Sequence, residues 1–493
     1  MPSRILRALT TSKELQRRSL GNKMEVRFVD TTLRDGNQSL WGAVGLKAGM
    51  VISIAETFDR VGFKAIDFIS SIHMGMSVRY HKENPWELIR AVRERITRTP
   101  LSFGTTGRRF IGFKRMPESI TALVFERMVA NGIRRVWIVD AAHEVDFVLK
   151  AAKIAKEKGF EEVVIALSFS ISPVHTDKFY AEKARAFSAS PYVDTLYIKD
   201  QGGLLTPERV RTLIPAVIEA AGPKGLEFHT HCNTGLGPIC YLEAVRLGVT
   251  VLHTAIPPLA NGTSQPSIFN VLHNLPYMGQ GEMKDVLPSW VGSEGTYRAY
   301  VDVQALKEIS EHFFEIAKRE GLPEGRPEEH DAYYYIHQLP GGMVTTLKRQ
   351  LQEMKMEARL DEVIEEVVRV RKDLGYPIMV TPFSQFVGTQ ATLNVVHKER
   401  YKVVPDGIIQ YAAGWFGPPP SPIDPDVLDR ISSQPKAKEY FGSPLPELSI
   451  EEIRRQMGIG TGVPDEEFLL RYTMTEKEVD EMLKSGPLKY TYP

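Results

Sequence analysis

Two histidines two positions apart, His229 and His231 in the run LEFHTH (226–231), fall on one face of a predicted strand, because strand side chains alternate with period two. Two imidazoles presented together suit a divalent cation, and a carboxylate from another part of the chain would complete such a site. Residues of the right type close other apolar runs. The loop DTTLRDGNQSLWG brings Asp30, Arg34, Asp35 and Gln38 together after EVRFVD (25–30), and YIKD ends a further run with Lys199. Plainer readings stand beside these. Asp35 would serve equally as a helix cap, and Asp30 reads as a structural carboxylate bonded within its own loop. His73, His143 and His253 read as satisfied polar residues rather than ligands. Lys199 reads either as a strand-end lysine facing solvent or, since Leu196 and Ile198 beside it are of buried type, as a lysine aimed inward. Beside a cation its charge would have to be removed, by a depressed pKa or by a covalent carbamate.

These residues must be positioned by the elements that carry them. From Glu25 to about Gly281, short apolar runs alternate with segments of helical period such as PWELIRAVRERI and PERVRTLIPAVIEAA. The strand candidates are EVRFVD (25–30), KAIDFI (64–69), PLSFGT (100–105), RVWIVD (135–140), VVIALSFS (163–170), VDTLYIKD (193–200), LEFHTH (226–231) and VTVLHTAI (249–256). Eight strands alternating with helices predict an α/β fold with a closed (β/α)8 TIM barrel, whose C-terminal strand ends carry the chemistry. The expected division is an N-terminal arm over 1–24, a barrel domain over 25–285 and a mostly helical C-terminal domain over 286–493 that completes the site. Residues 415–425, rich in proline, read as an exposed loop. The glycines of KDQGGLL and LPGGM fit no phosphate-loop spacing and are assigned to tight turns.

Composition excludes several classes of function. Lys+Arg and Asp+Glu both total 61 of 493 residues, so no global field recruits nucleic acid or a membrane surface. No apolar run approaches the roughly 18 residues of a membrane span. The two cysteines, Cys232 and Cys240, argue against a disulfide framework and for a reducing cytoplasm. Residues 1–24 are basic and nearly free of acid, and read as an arm packing on a neighbouring subunit in preference to a targeting peptide.

At this point the motifs carry a resemblance. DTTLRDGNQSLWG resembles the DTTLRDAHQSL signature of biotin-dependent carboxyltransferases of the DRE-TIM superfamily; YIKDQGGLL resembles their KDMAGLL, FHTHCNTG their HCHDTSG, and TAIPPLANGTSQPS their DTAIxxxxxGTSQPS. QLPGGMVTTLKRQL and VTPFSQFVGTQATLNVV resemble PGGxxTNLxxQ and VTPxSxxVGxxAxxxV, so the likeness runs in order over about residues 25–420. The resemblance implies a Zn, Mn or Co ion held by Asp35, Lys199 as N6-carboxylysine, His229 and His231. It implies Arg34 and Gln38 lining the substrate pocket, Thr381 shuttling a proton between biotin and substrate, and Ser384 in the biotin pocket. The implied reaction moves CO2 from carboxybiotin to a small carbonyl acceptor through an enolate stabilised by the metal and Arg34. No AMKM-like biotinylation site occurs, so the expected partners are a separate biotin carboxyl carrier protein and a biotin carboxylase subunit, with a homodimer or higher oligomer of this chain.

The sequence departs from that family where pyruvate would bind. The family's third strand ends LLRG, with an arginine that grips the pyruvate carboxylate; here FGTTGRRFIGF puts Thr106 at that position and Phe113 at the tyrosine position. ECWGGAT becomes DFISSIH (67–73), and FDAMND becomes VDAAHEVD. Arg108 or Arg109 is a candidate replacement guanidinium, displaced by two or three residues. A threonine hydroxyl does not replace a bidentate arginine–carboxylate contact, so the expected acceptor is not pyruvate but a neutral ketone or amide, or a larger acid. Two rival readings remain: a biotin-independent aldolase or lyase resembling hydroxymethylglutaryl-CoA lyase, which would lack the VTP and PGG motifs, and a non-catalytic scaffold.

Overall fold

A computed structural model describes residues 24–112, 114–278, 297–442 and 446–492. All eight predicted runs form strands: β1 (Arg27–Asp30), β2 (Ala65–Ser70), β3 (Leu101–Thr105), β4 (Arg135–Val139), β5 (Glu162–Ser168), β6 (Thr195–Asp200), β7 (Gly225–Thr230) and β8 (Val251–Thr254). They pair in parallel in chain order, and β8 pairs back onto β1 with Arg27 opposite Val251, closing the barrel. Covered by helices outside and packed within, the strands are buried on both faces, which is why they read as near-continuous Val/Ile/Leu runs. A short parallel pair, Met24–Glu25 with Tyr297–Arg298, lies outside the barrel.

Period-two alternation layers the barrel interior. At the N-terminal end the buried Arg135 bonds Glu227 and Glu162, Lys64 Nζ lies 2.6 Å from each of the same two carboxylates, and His253 Nε2 lies 2.8 Å from Glu227. Above them, Trp137, Val164, Ala166 and Tyr197 form an apolar layer. Gly104 is required there, since a Cβ would overlap the Trp137 indole.

The helix Val303–Glu320 returns to the barrel core through Leu306, Ile309 and Phe313. An extended strap then follows the rim. Pro323 O accepts from Trp41 Nε1 at 2.8 Å, Gly325 N donates to Pro258 O at 2.7 Å, and His330 Nδ1 lies 3.0 Å from Thr234 O. A second core follows, from Leu339 to Ala437, built on the helices Gly341–Glu353, Leu360–Asp373, Phe383–His397, Asp406–Ala412 and Pro425–Ser432. It rests on the loops after β3, β4 and β5: Ala141 belongs to it, and Arg371 donates to Ser170 Oγ at 2.9 Å and to Ile171 O at 3.0 Å. The last helices, Ile450–Met457, Asp465–Thr473 and Glu476–Lys484, go back to the barrel, where Phe468, Leu470 and Val479 join its core.

Residues 1–23 of the expected 1–24 arm and the expected boundary at 285/286 lie outside the described residues. One turn assignment is corrected. LPGGM is not a turn: Gly341 opens the helix Gly341–Glu353 directly after Pro340, whose fixed φ suits a helix start. KDQGGLL is a turn, with Gly203 at φ +63° pressed against the backbone of His231 and Asn233.

Candidate active site

The four predicted metal ligands meet at the C-terminal mouth of the barrel. On adjacent strands β6 and β7, Lys199 is paired in register with His229, and alternation turns both inward. Asp35 comes from the other side, on a π-helical turn over Thr32–Gly36 that follows β1. Asp35 Oδ2 lies 3.1 Å from Lys199 Nζ and 3.4 Å from His229 Nε2, and Oδ1 lies 3.6 Å from His231 Nε2. Ligand atoms of Asp35, His229 and His231 fall within 4.8 Å of one another.

The donor set fits a borderline divalent cation. His231 Nδ1 donates to Thr263 O at 2.7 Å, which fixes the tautomer and leaves the Nε2 lone pair turned toward Asp35. Gln265, 2.7 Å from Thr31 Oγ1, also stands beside His231 Nε2 at 3.0 Å. Burial and the Lys199 cation hold His229 well below the ordinary imidazole range, so it is the neutral, ligand-competent form. Burial alone would raise the Asp35 carboxyl, but the Arg34 and Lys199 cations keep it ionised and well below the usual carboxylate range. Burial also pushes the Lys199 ammonium down, against the pull of Asp35. As an ammonium Lys199 is a competing cation; as a carbamate it would be a fourth, anionic donor.

Arg34 and Asp67 brace this centre. The Arg34 guanidinium bonds Asp67 Oδ2 through Nε at 2.7 Å, touches Asp35 at 2.9 Å, and lies over the Trp137 ring at 4.8 Å. Trp137 Nε1 donates to Asp67 Oδ1 at 2.8 Å. Periodicity did not single out Asp67, Trp137 or Gln265; the available signal for Asp67 was a carboxylate inside the apolar run KAIDFI.

The remaining predicted residues are placed as follows. Gln38 is half-buried on the helix Asn37–Trp41. Thr106 follows β3, its buried Oγ1 without a hydrogen-bond partner among the described residues. Arg108 is turned away from solvent and engaged: it forms a fork on Asp140 at 2.8 and 3.2 Å, bonds Glu144 at 2.6 Å and stacks on Phe147 at 3.8 Å. Phe113 lies outside the described residues. Thr381 is half-buried ahead of the helix Phe383–His397, and the buried Ser384 Oγ has no partner among the described residues. His73 bonds Ser70 Oγ, His253 bonds Glu227, and His143 Nε2 accepts from Ser168 N at 2.9 Å, each a polar partner. Asp30 accepts from the Thr32 hydroxyl at 2.5 Å and from its amide, within its own loop. Cys232 and Cys240 are buried free thiols.

Comparison with known proteins agrees with this architecture. Residues 25–265 match the HMGL-like family model and residues 334–489 match the conserved carboxylase domain. A pyruvate carboxylase subunit from Methanocaldococcus jannaschii is 36% identical over 408 residues, covering 82% of this chain and 68% of that protein. The 2-oxoglutarate carboxylase large subunit of Hydrogenobacter thermophilus is 31% identical over 422 residues, covering 85% of this chain and 62% of that one. The carboxyl transferase domain of Rhizobium etli pyruvate carboxylase, solved with pyruvate, superposes with a TM-score of 0.81 at 22% identity, over 97% of this chain and 80% of that one, a likeness of fold.

Proposed function

We propose, for a chain that belongs to the carboxyltransferase subunits of the biotin-dependent carboxylases, that it moves a carboxyl group from carboxybiotin on a separate carrier to a small enolisable carbonyl acceptor at the barrel mouth. The observation that carries this reading is the convergence of Asp35, His229, His231 and Lys199 at the barrel mouth, and it is supported by the bond from Arg109, in the loop after β3, to the main-chain oxygen of Thr381. Those four residues would hold a Zn, Mn or Co ion, with Lys199 as N6-carboxylysine. The ion would supply Lewis-acid stabilisation of negative charge on the acceptor. The chain's own residues do the rest. Arg34, locked by Asp67, holds a fixed positive charge beside Asp35. The Thr381 hydroxyl carries the proton between biotin and acceptor, and Ser384 and Gln38 line the pocket. The lyase alternative has no support: the relatives are carboxylases, and residues 334–489 match the carboxylase domain.

The acceptor is read from the loop after β3. With Thr106 in place of a guanidinium and Arg108 already held by Asp140 and Glu144, no clamp at those positions grips a pyruvate carboxylate, and we favour a neutral carbonyl compound or a larger acid. Pyruvate is the second reading, favoured by the names of the relatives. The expected partners are a biotin carboxyl carrier and a biotin carboxylase subunit, in a cytoplasmic assembly with more than one copy of this chain. Among the described residues no helix is long and apolar enough to cross a membrane. The test is label transfer from a 14C-carboxylated biotin carrier to pyruvate, 2-oxoglutarate and a panel of neutral ketones and amides. Transfer to any of them supports the reaction class, none overturns it, and preferred transfer to pyruvate overturns the favoured acceptor.

A further inference from the structure

Arg108 and Arg109 are adjacent, yet they attach the loop after β3 to different parts of the molecule. Arg108 is consumed by Asp140 and Glu144, and its Nη2 lies under Gly417 of the second core, where a Cβ would stand 3.0 Å away. Arg109, 8% exposed, turns the other way. Its Nη1 donates to Gly112 O at 3.1 Å and its Nη2 to Thr381 O at 3.3 Å. One planar guanidinium therefore spans two main-chain carbonyls, one in the loop that carries the acceptor-side positions 106–113, the other on Thr381 itself. Bonds from an ionised donor are roughly twice as strong as neutral ones, and the rigid fork fixes direction as well as distance. Within the loop and the helix that follows it, Met116 N donates to Arg108 O at 3.0 Å and Thr121 Oγ1 to Gly107 O at 3.2 Å. Burial lowers the Arg109 guanidinium to about 10, which still leaves it charged at neutral pH.

We propose that Arg109 is a positioning residue for carboxyl transfer, holding the Thr381 main chain against the acceptor-side loop so that the hydroxyl which carries the proton and the pocket that receives the carboxyl group keep one geometry. This rests on the carboxyltransferase reading above. The inference assigns Arg109 no contact with substrate: it acts through Thr381. Arg108 still anchors the loop to Asp140 and Glu144 without Arg109, so removal of Arg109 is expected to loosen Thr381 while the second core stays assembled.

The test compares wild type with Arg109→Gln, Arg109→Lys and Thr381→Val in the full chain. For whichever acceptor of the panel turns over, Arg109→Gln is expected to lower kcat by about 10- to 100-fold, as a misplacement of the order of 1 Å does, with KM, metal content and Tm close to wild type. Arg109→Lys should recover part of the loss. In the Thr381→Val background, Arg109→Gln should cost little more, because both act through one hydroxyl. Hydrogen exchange of the amides over 380–386 should quicken in Arg109→Gln. A kcat near wild type, a loss that is additive with Thr381→Val, or a parallel fall of Tm and metal content would overturn the proposal. If wild type transfers no label, the carboxyltransferase reading itself fails, and unchanged exchange at 380–386 then overturns the role of Arg109 independently.

Discussion

Lys199 Nζ stands 3.1 Å from Asp35 Oδ2, a buried ion pair that joins the end of β6 to the loop after β1 across the barrel mouth. The pair explains how a lysine is tolerated there: its ammonium is matched by a carboxylate that Arg34 also holds ionised. Conversion of that ammonium to a carbamate replaces the pair by two anionic groups, which only a further cation can stabilise. Lysine carboxylation and metal binding are therefore expected to be interdependent. Protein loaded with zinc or manganese in 13C-bicarbonate should show a 13C carbamate signal and a mass gain of one CO2 on the peptide containing Lys199; the signal should fall on chelation, and Lys199→Ala should bind metal at least tenfold more weakly. A signal that survives chelation unchanged would refute the coupling.

The proposed histidine and aspartate ligands should separate by their effects on stability. His231→Ala removes one donor, and the metal content measured by elemental analysis should fall with activity by about 10²-fold or more. Asp35→Asn does this too, and also leaves Arg34 and Lys199 as neighbouring buried cations sharing one fewer carboxylate. Removing one partner of a buried pair costs roughly 3 kcal/mol or more. Denaturation in the presence of chelator should show that cost for Asp35→Asn and a clearly smaller one for His231→Ala.

Acceptor choice should follow position 106 and not Arg108. Thr106→Arg restores a guanidinium at the strand end and is expected to raise kcat/KM for pyruvate by about tenfold or more, since a well-placed charged bond is worth about 1.5–3 kcal/mol. Asp140→Asn breaks the fork on Arg108 and should destabilise the fold by roughly 3 kcal/mol while leaving the ranking of acceptors as in wild type. A pyruvate preference already present in wild type and unaltered by Thr106→Arg would count against both statements.

Acid sensitivity should be traceable in part to His143. Burial, with the nearby Lys183 cation, holds its imidazole at about 3 in the folded protein, against 6.5 as the ordinary value. A histidine held neutral by the fold is protonated first in the unfolded chain, so the stability it contributes is complete above about pH 6.5 and is lost as pH falls toward 3. The slope is up to roughly 1.4 kcal/mol per pH unit for one such group. His143→Gln, whose amide oxygen can accept from Ser168 N, should be less stable than wild type at pH 7 and lose less between pH 6.5 and 4, measured by urea denaturation. Parallel stability–pH curves would show that His143 does not contribute.

Local pattern alone determined the barrel and the shared face of the histidine pair. Period-two alternation puts His229 and His231 on one face whatever their neighbours, and eight apolar runs separated by helical segments leave few other ways to bury both faces of each strand. The tertiary structure decided what those patterns do not encode: which buried charges meet. Arg34 reads as a pocket residue from its motif, yet its fork is taken by Asp67, 33 residues away. Arg108 and Arg109 are indistinguishable as a dipeptide, but one closes on Asp140 and the other on Thr381, 272 residues along the chain. The helices after Ser449 show helical period without revealing that they return to the barrel, because amphipathicity fixes that a face is buried and not against what. Nor did the lysine at the end of YIKD disclose its state. The pattern left it facing either solvent or the barrel interior, and both its inward direction and the partner that makes a charge acceptable there, Asp35, are supplied only by closure of the barrel.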